Sequence, residues 1–197
     1  GCKPQIIGRI QHYISRKALD IEGLGHETVA LLVNANLIEN YSDLYELKFD
    51  QIVRLERMAE KSANNLITGI LDSKNIPFER VLYGLGIRYV GETVAKKLAK
   101  HFENIDNILN SDFDELISVD EIGEKIANSI IEFSQNSENI EIINSLKSHN
   151  IQFEIDDSNK NVSSILVGKS FVISGVFANF SRDELKKLIE SNGGKIS

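Results

Sequence analysis

Two glycines, Gly23 and Gly25, are the residues of this sequence whose type and spacing most clearly suggest chemistry. They flank Leu24 in the stretch DIEGLGHETVA, and a run with helical spacing follows at once. The first N–H groups of a helix have no partner within the helix, and the helix dipole makes that end positive. Because glycine has no side chain, its backbone can come close to a ligand. The stretch therefore predicts an anion site made of backbone N–H groups, with a phosphodiester as the obvious anion.

The same pattern occurs four times along the chain. The segments that align on one register are residues 21–32, 55–66, 87–98 and 119–130. Their starts are separated by 34, 32 and 32 residues, and positions one, four and twelve of every segment are apolar. Position five is small in each of them: Gly25, Ala59, Gly91 and Gly123. An internal period of this length indicates a repeat architecture.

Each repeat has the same structural interpretation. An apolar residue ends a first helix, a tight turn follows, and a second helix places positions nine and twelve on its inner face. We expect the glycine at position five to supply a backbone angle that a residue with a Cβ would resist. The sequence thus predicts a mainly α fold, with a lead-in over residues 1–20 and the repeats over residues 21–153. A two-helix packing unit without a ligand is the alternative interpretation.

The predicted phosphate contacts come from backbone N–H groups and are independent of base sequence. These N–H groups lie at residues 23–25, 90–92 and 122–124. We rank the first turn as the best site and the third as good, whereas the second lacks glycine and the fourth carries Glu121, which would repel a phosphate. The residues assigned to these contacts are Gly23, Leu24, Gly25, His26, Val90, Gly91, Thr93 and Gly123.

Basic side chains lie close to the predicted turns. Those in the second helices are Lys61, Lys96, Lys97 and Lys125, and those in the turns are Arg57 and Arg88. Taken singly, each is as well explained as an ordinary surface residue. A further basic group in the lead-in consists of Arg9, His12, Arg16 and Lys17. This group either joins the phosphate contact or forms a solvated helix face.

The net charge of −7 is unevenly distributed along the 197 residues. Residues 1–102 carry 14 Lys and Arg against 12 Asp and Glu, whereas residues 103–164 carry 3 against 14. The acidic block is most simply a solvated surface, and it leaves room for a neutral or basic face elsewhere. A single cysteine excludes an internal disulfide and favours the reducing cytoplasm. No apolar run is long enough for a membrane span, and no signal peptide is evident at the start.

Taken together, the four segments resemble tandem helix-hairpin-helix motifs, and longer stretches resemble one enzyme family. GRIQHYISRKALDIEGLG (8–25), LERMAEKSANNL (55–66) and LGIRYVGETVAKKLAKHF (85–102) are similar to the C-terminal half of bacterial NAD-dependent DNA ligase. The start of the chain, without Met, fits a piece of such a protein. The resemblance implies a parent enzyme that forms phosphodiester bonds by AMP transfer, uses NAD, magnesium and zinc, and acts on nicked double-stranded DNA in DNA replication and repair. It also implies a cytoplasmic, nucleoid-associated location and contact with other domains of the parent.

The same resemblance gives Cys2 a role. In that family a four-cysteine zinc finger precedes the hairpin domain, so Cys2 would be the last of four zinc ligands. Structural zinc needs four ligands, and this chain contains one cysteine. We therefore expect this piece to bind no cofactor by itself.

The tail, residues 165–197, resembles the start of a BRCT domain and follows a polar linker over residues 154–164. SFVISG (170–175) is predicted as a buried strand, 182–191 as a helix and KIS (195–197) as a second strand. Ser181 followed by Glu184 is a capping-box pattern. The resemblance implies a weak phosphate site at Ser174 and Gly175, and a plain α/β core piece is the alternative.

No catalytic set is evident in the sequence. It contains no KxDG motif, no phosphate-binding glycine loop and no metal spacing among its four histidines. We therefore expect no ligation by this piece alone, and its predicted function is to hold DNA. Two alternatives remain: a free-standing hairpin module of another repair protein, and a scaffold that uses its hairpins for packing only.

Overall fold

The computed structural model describes residues 2–56, 58–156, 170–174, 181–191 and 195–196. The chain forms two compact units, Gly1–Ile155 and Asp156–Ser197, which we call the helical unit and the C-terminal unit. Two residues predicted to bind phosphate, Arg57 and Gly175, lie outside the described residues.

The helical unit consists of ten α-helices and two short 3-10 helices within its described residues. The α-helices are α1 (Lys3–Ile14), α2 (His26–Asn34), α3 (Phe49–Ile52), α4 (Glu60–Asp72), α5 (Phe78–Gly84), α6 (Glu92–Phe102), α7 (Ile105–Leu109), α8 (Phe113–Ile117), α9 (Glu124–Gln135) and α10 (Ser137–Ser148). The 3-10 helices span Tyr41–Glu46 and Ser73–Asn75. The predicted mainly α fold is confirmed.

The four repeats appear as helix pairs with a turn between them. Helices α3 and α4, α5 and α6, and α8 and α9 pack as pairs, and α2 follows a turn after α1 and packs against it. We call the turns hairpin 1 (residues 21–25), hairpin 2 (55–59), hairpin 3 (87–91) and hairpin 4 (119–123). Each second helix begins at the residue after its hairpin.

The hydrophobic core follows the repeat pattern. Position nine is buried in every repeat, as is position twelve: Val29, Ala63, Ala95 and Ala127, and Leu32, Leu66, Leu98 and Ile130. Positions one and four are buried in repeats 1, 3 and 4, whereas Leu55 and Met58 of repeat 2 are half-buried. Because positions nine and twelve are three residues apart, they share one helix face, and that face is covered by the neighbouring helices.

A chain of buried hydroxyl groups joins α1 to the end of α4. Ser73 donates to the carbonyl of Ile70 at 2.6 Å, so its oxygen accepts from Tyr45 at 2.9 Å, and Tyr45 in turn accepts from Tyr13 at 2.9 Å. The Tyr13 ring also stacks on Tyr41, with centroids 4.4 Å apart. Burial raises the pKa of all three tyrosine hydroxyls. The phenols are therefore neutral donors that fix how the first helices pack.

The boundary of the helical unit differs slightly from the predicted one. Glu154 forms an antiparallel bridge with Asn104, and the N–H of Ile155 donates to the carbonyl of Glu103 at 2.8 Å. These two residues, assigned to the linker from sequence, are thus held by the helical unit, which ends at Ile155. The sequence does not indicate this pairing, because an isolated bridge in a polar segment leaves no periodic pattern of apolar residues.

The C-terminal unit contains a short β-α-β arrangement in its described residues. Strand β1 (Ser170–Phe171) pairs in parallel with β2 (Lys195–Ile196), and α11 (Arg182–Ser191) lies between them in sequence. The side chain of Glu184 accepts from the N–H of Ser181 at 2.7 Å, and the Ser181 hydroxyl accepts from the N–H of Glu184, as the capping box predicts. The observed strand is shorter than the predicted one and is not buried: Ser170 is exposed, Phe171 is half-buried, and Val172 beyond the end of the strand is 75% exposed.

No helix within the described part of the chain is long and apolar enough to cross a membrane.

Candidate nucleic-acid interface

Position five of every repeat is the N-cap of the second helix. Gly25, Ala59, Gly91 and Gly123 precede α2, α4, α6 and α9, and none of the four provides a side-chain cap. By contrast, Asn104, Asp112 and Asn136 accept a hydrogen bond from the first turns of α7, α8 and α10. The hairpin helices thus keep first-turn N–H groups that the protein does not itself cap.

The backbone angles show that position five does not need the conformational freedom of glycine, contrary to the prediction. The φ angles of the four N-caps lie between −78° and −88°, in extended backbone that any residue adopts. The left-handed residue is at position three: Gly23 has φ 86°, and Tyr89 and Glu121 both have φ 66°. The expectation was wrong because the sharp bend of the turn falls two residues before the cap.

A different property explains glycine at position five. A Cβ added to Gly25, Gly91 or Gly123 would meet no heavy atom within 4 Å. Internal packing therefore does not require glycine at these positions, and all three face open space. The absence of a side chain leaves the adjacent N–H groups open to a ligand that approaches from outside.

Two of the predicted N–H donors are already used inside the protein. The N–H of Val90 donates to the carbonyl of Ile87, and that of Ile122 donates to the carbonyl of Val119, each at 3.0 Å. These bonds close the turns of hairpins 3 and 4. Contacts with phosphate there would come from position five and the first helical residues, not from position four.

The other predicted contact residues lie largely at the surface near the hairpins. Those that are exposed are Gly23, Gly25, His26, Lys61, Arg88, Gly91, Thr93, Lys96, Gly123 and Lys125. Leu24 and Val90 are buried, so only their backbone could serve a ligand. The His26 ring is in contact with the Gln11 amide of α1, which orients it beside hairpin 1.

Lys97 has a different partner from the predicted one. Its Nζ lies 2.8 Å from Asp120 Oδ2 and 3.0 Å from Glu121 Oε1, so it joins α6 to hairpin 4. The hydrogen bonds that Lys97 donates to Asp120 and then to Glu121 raise the pKa of Lys97, and the contact with Lys97 lowers the pKa of Asp120. Lys97 therefore offsets part of the negative charge of hairpin 4, which was expected to repel phosphate.

A second lysine, Lys17, pairs with a carboxylate at the end of hairpin 3. Lys17 Nζ lies 3.2 Å from Oε2 of Glu92, the first residue of α6, and both side chains are exposed. Arg80 of α5 also donates to the carbonyl of Arg16 at 2.6 Å. These contacts hold the segment before hairpin 1 beside hairpin 3. Asp120, Glu121 and Glu92 are thus each paired with a lysine from another repeat or from the lead-in.

The rest of the lead-in group does not act as one basic face. His12 Nε2 lies 2.8 Å from the carbonyl of Tyr83 in α5, so this ring serves packing. Arg9 lines a cavity of about 640 Å³ together with Glu39, Asp43 and Glu138. No hairpin residue lines that cavity among the residues described. Arg9 is exposed on α1, and its assignment to the DNA contact stays a prediction.

Cys2 is an exposed free thiol at the N-terminus of α1. Within the described residues, no group of three or more His, Cys, Asp or Glu is arranged to hold a metal. One thiol supplies one of the four ligands that a structural zinc site needs. The role of Cys2 as a ligand stays a prediction, as does the phosphate site at the exposed Ser174.

We expect Lys97→Met to weaken binding of duplex DNA about twofold to fivefold, because Asp120 and Glu121 would lose the cation beside them and repel phosphate, and interactions between exposed charges are weak. The measurement is a titration followed by fluorescence anisotropy at low salt. The matched background is Asp120→Asn with Glu121→Gln, which removes the carboxylates that Lys97 neutralises. Lys97→Met should have no further effect there. An equal loss in both backgrounds would show that Lys97 contacts the phosphate itself.

Comparisons with known proteins agree with this geometry. A helix-hairpin-helix motif model matches residues 80–143, and a SAM-like helix-hairpin-helix tandem model matches residues 15–70. A BRCA1 C Terminus (BRCT) domain model matches residues 161–197. The tandem hairpin architecture and the BRCT-like tail are thus confirmed.

Curated relatives match the chain from end to end. It is 64% identical over 197 residues to a DNA ligase of Flavobacterium psychrophilum and, over the same length, 64% identical to one of Flavobacterium johnsoniae. A DNA ligase of Bacteroides fragilis is 51% identical over 99% of the chain. The chain spans about 30% of the length of each of these relatives. The resemblance to bacterial DNA ligase is confirmed.

Proposed function

We propose that the helical unit of this chain, whose sequence is that of the hairpin region of bacterial DNA ligases, holds duplex DNA around a nick. The observation that carries the proposal is the shared geometry of hairpins 1, 3 and 4. Each ends in an exposed glycine that faces open space and precedes an uncapped helix. N–H groups in this arrangement bind anions, and phosphates along a strand are regularly spaced anions.

The hairpins would contact the sugar–phosphate backbone from the minor-groove side. Arg88, Lys96 and Lys125 lie at the surface beside hairpins 3 and 4 and would add attraction. Hairpin 2 would contribute less, because Ala59 already carries a Cβ and Glu56 is exposed in the turn. Contact with both DNA strands on either side of a nick would hold the ends in line.

The proposal gives this chain no step of the joining reaction. Phosphodiester formation with AMP transfer, NAD dependence and magnesium would belong to the larger ligase, together with a zinc finger completed by Cys2. That protein would act in the cytoplasm on nucleoid DNA in replication and repair, and its other domains would be partners of this region. The acidic residues 103–155 would face solvent or such a domain.

We expect the 197-residue chain to bind a nicked duplex with a strong dependence on salt. If five or six phosphates are neutralised, a plot of log K against log salt should have a slope of about −5, from ~0.9 per phosphate. Anisotropy titrations at several salt concentrations, with a nicked and an intact duplex, measure the slope and the nick preference. Absence of binding at low salt would favour the alternative, a scaffold that uses its hairpins for packing.

A further inference from the structure

Tyr89 of hairpin 3 combines two features that internal packing does not explain. It has φ 66°, in the left-handed region that residues with a Cβ rarely adopt, and bulky residues least of all. Its side chain is nevertheless 52% exposed, so burial does not hold it in that conformation. Backbone strain of this kind is concentrated at functional sites, and here it places an aromatic ring at the tip of a hairpin.

The other hairpins show that the turn does not need an aromatic residue. The equivalent position is Gly23 in hairpin 1, where glycine adopts the left-handed angle without a steric cost. In hairpin 4 it is Glu121, whose carboxylate is paired with Lys97. Glycine at residue 89 would relieve the strained angle, so the ring itself is the feature that needs an explanation.

The surroundings of the ring indicate the kind of ligand. The Arg88 guanidinium lies over one face, with its central carbon 4.9 Å from the ring centroid. A cation in this position attracts phosphate while it covers one side of the ring. Because the side chain is 52% exposed, the other side is left for a weakly polar group that presents C–H bonds to the ring. In a nucleic acid strand, the group beside each phosphate with that character is the sugar.

We propose that Tyr89 packs its ring against a deoxyribose in the minor groove, next to the phosphate bound at Gly91 and Glu92. This inference rests on the proposed function of the hairpins. Tyr89 precedes Gly91 by two residues, and two residues span at most ~7 Å. The ring therefore lies within reach of the nucleotide whose phosphate would contact the start of α6. The contact is apolar and adds affinity that does not depend on counterion release.

The test uses the 197-residue chain, a nicked DNA duplex and two variants of residue 89. Tyr89→Asn removes the ring but keeps a residue that tolerates a left-handed backbone. We expect it to bind about tenfold more weakly at every salt concentration, with an unchanged slope of log K against log salt, since an apolar contact between the ring and a sugar releases no counterion. Tyr89→Phe retains the ring and should restore most of the lost affinity.

Arg88→Met provides the electrostatic comparison, because it should reduce the magnitude of the slope by about 1. The melting temperature of Tyr89→Asn should not fall, which shows that weaker binding is not a loss of fold. Equal affinities of Tyr89→Asn and the unchanged chain would overturn the ring contact alone, as would a change in slope. If the unchanged chain shows no salt-dependent binding, the proposed function fails, and this inference fails with it.

Discussion

Gly25→Val is expected to weaken binding of duplex DNA about 10- to 100-fold, because hydrogen bonds to a charged group are worth ~1.5–3 kcal/mol. The valine side chain would occupy the open space through which a phosphate reaches the N–H groups of hairpin 1. The fold should be unaffected, since a Cβ at residue 25 meets no heavy atom within 4 Å and its φ of −80° suits valine.

The matched control for this change is Ala59→Val at the same position of hairpin 2. Residue 59 has the same extended backbone and precedes a helix in the same way. Because a Cβ is already present there, we expect the affinity of Ala59→Val to stay within about twofold of the unchanged chain. Anisotropy titrations give the affinities, and circular dichroism verifies that both variants remain helical. Unchanged affinity of Gly25→Val would remove hairpin 1 from the interface.

The second large effect is expected for stability, at the contact between α4 and hairpin 1. A Cβ at Gly69 would lie 2.9 Å from the carbonyl oxygen of Glu22, a backbone atom that cannot move alone. Gly69→Ala therefore forces hairpin 1 away from α4. Such overpacking costs ~1–3 kcal/mol, and the better helix propensity of alanine offsets ~1 kcal/mol of it.

Gly8→Ala is the matched control, because Gly8 also lies inside a helix but has no atom within 4 Å of its Cβ position. We expect it to raise the free energy of unfolding by about 0.5–1 kcal/mol. Denaturant titration of both variants should give changes of opposite sign. A similar gain for Gly69→Ala would mean that hairpin 1 is not held tightly by α4. Its DNA affinity is a second measurement, because hairpin 1 should be displaced in this variant.

Much of the fold follows from local features of the chain. The period of the repeats predicted four turns, and position five proved to be the N-cap of α2, α4, α6 and α9. The helix predicted for residues 182–191 and its capping box are also observed. These features depend on contacts within a few residues, where helical spacing and side-chain type are sufficient.

The candidate site was predicted less completely, because its electrostatics depend on contacts between repeats. Lys97 and Asp120 are separated by 23 residues, and no local signal indicates that they pair. Lys17 likewise reaches Glu92 across about half of the helical unit's sequence. Opposite charges near successive turns were visible in the sequence, but their pairing depends on how the helix pairs pack.

The repeat thus specified the hairpins, their uncapped helices and the buried positions nine and twelve, since all of these arise from short-range geometry. Only the tertiary structure placed the left-handed angle at position three of hairpins 1, 3 and 4 and exposed the ring of Tyr89. It also brought His12 to the carbonyl of Tyr83 and paired Lys97 with hairpin 4. The direction and partner of a surface side chain depend on the elements around it, which lie far away in sequence.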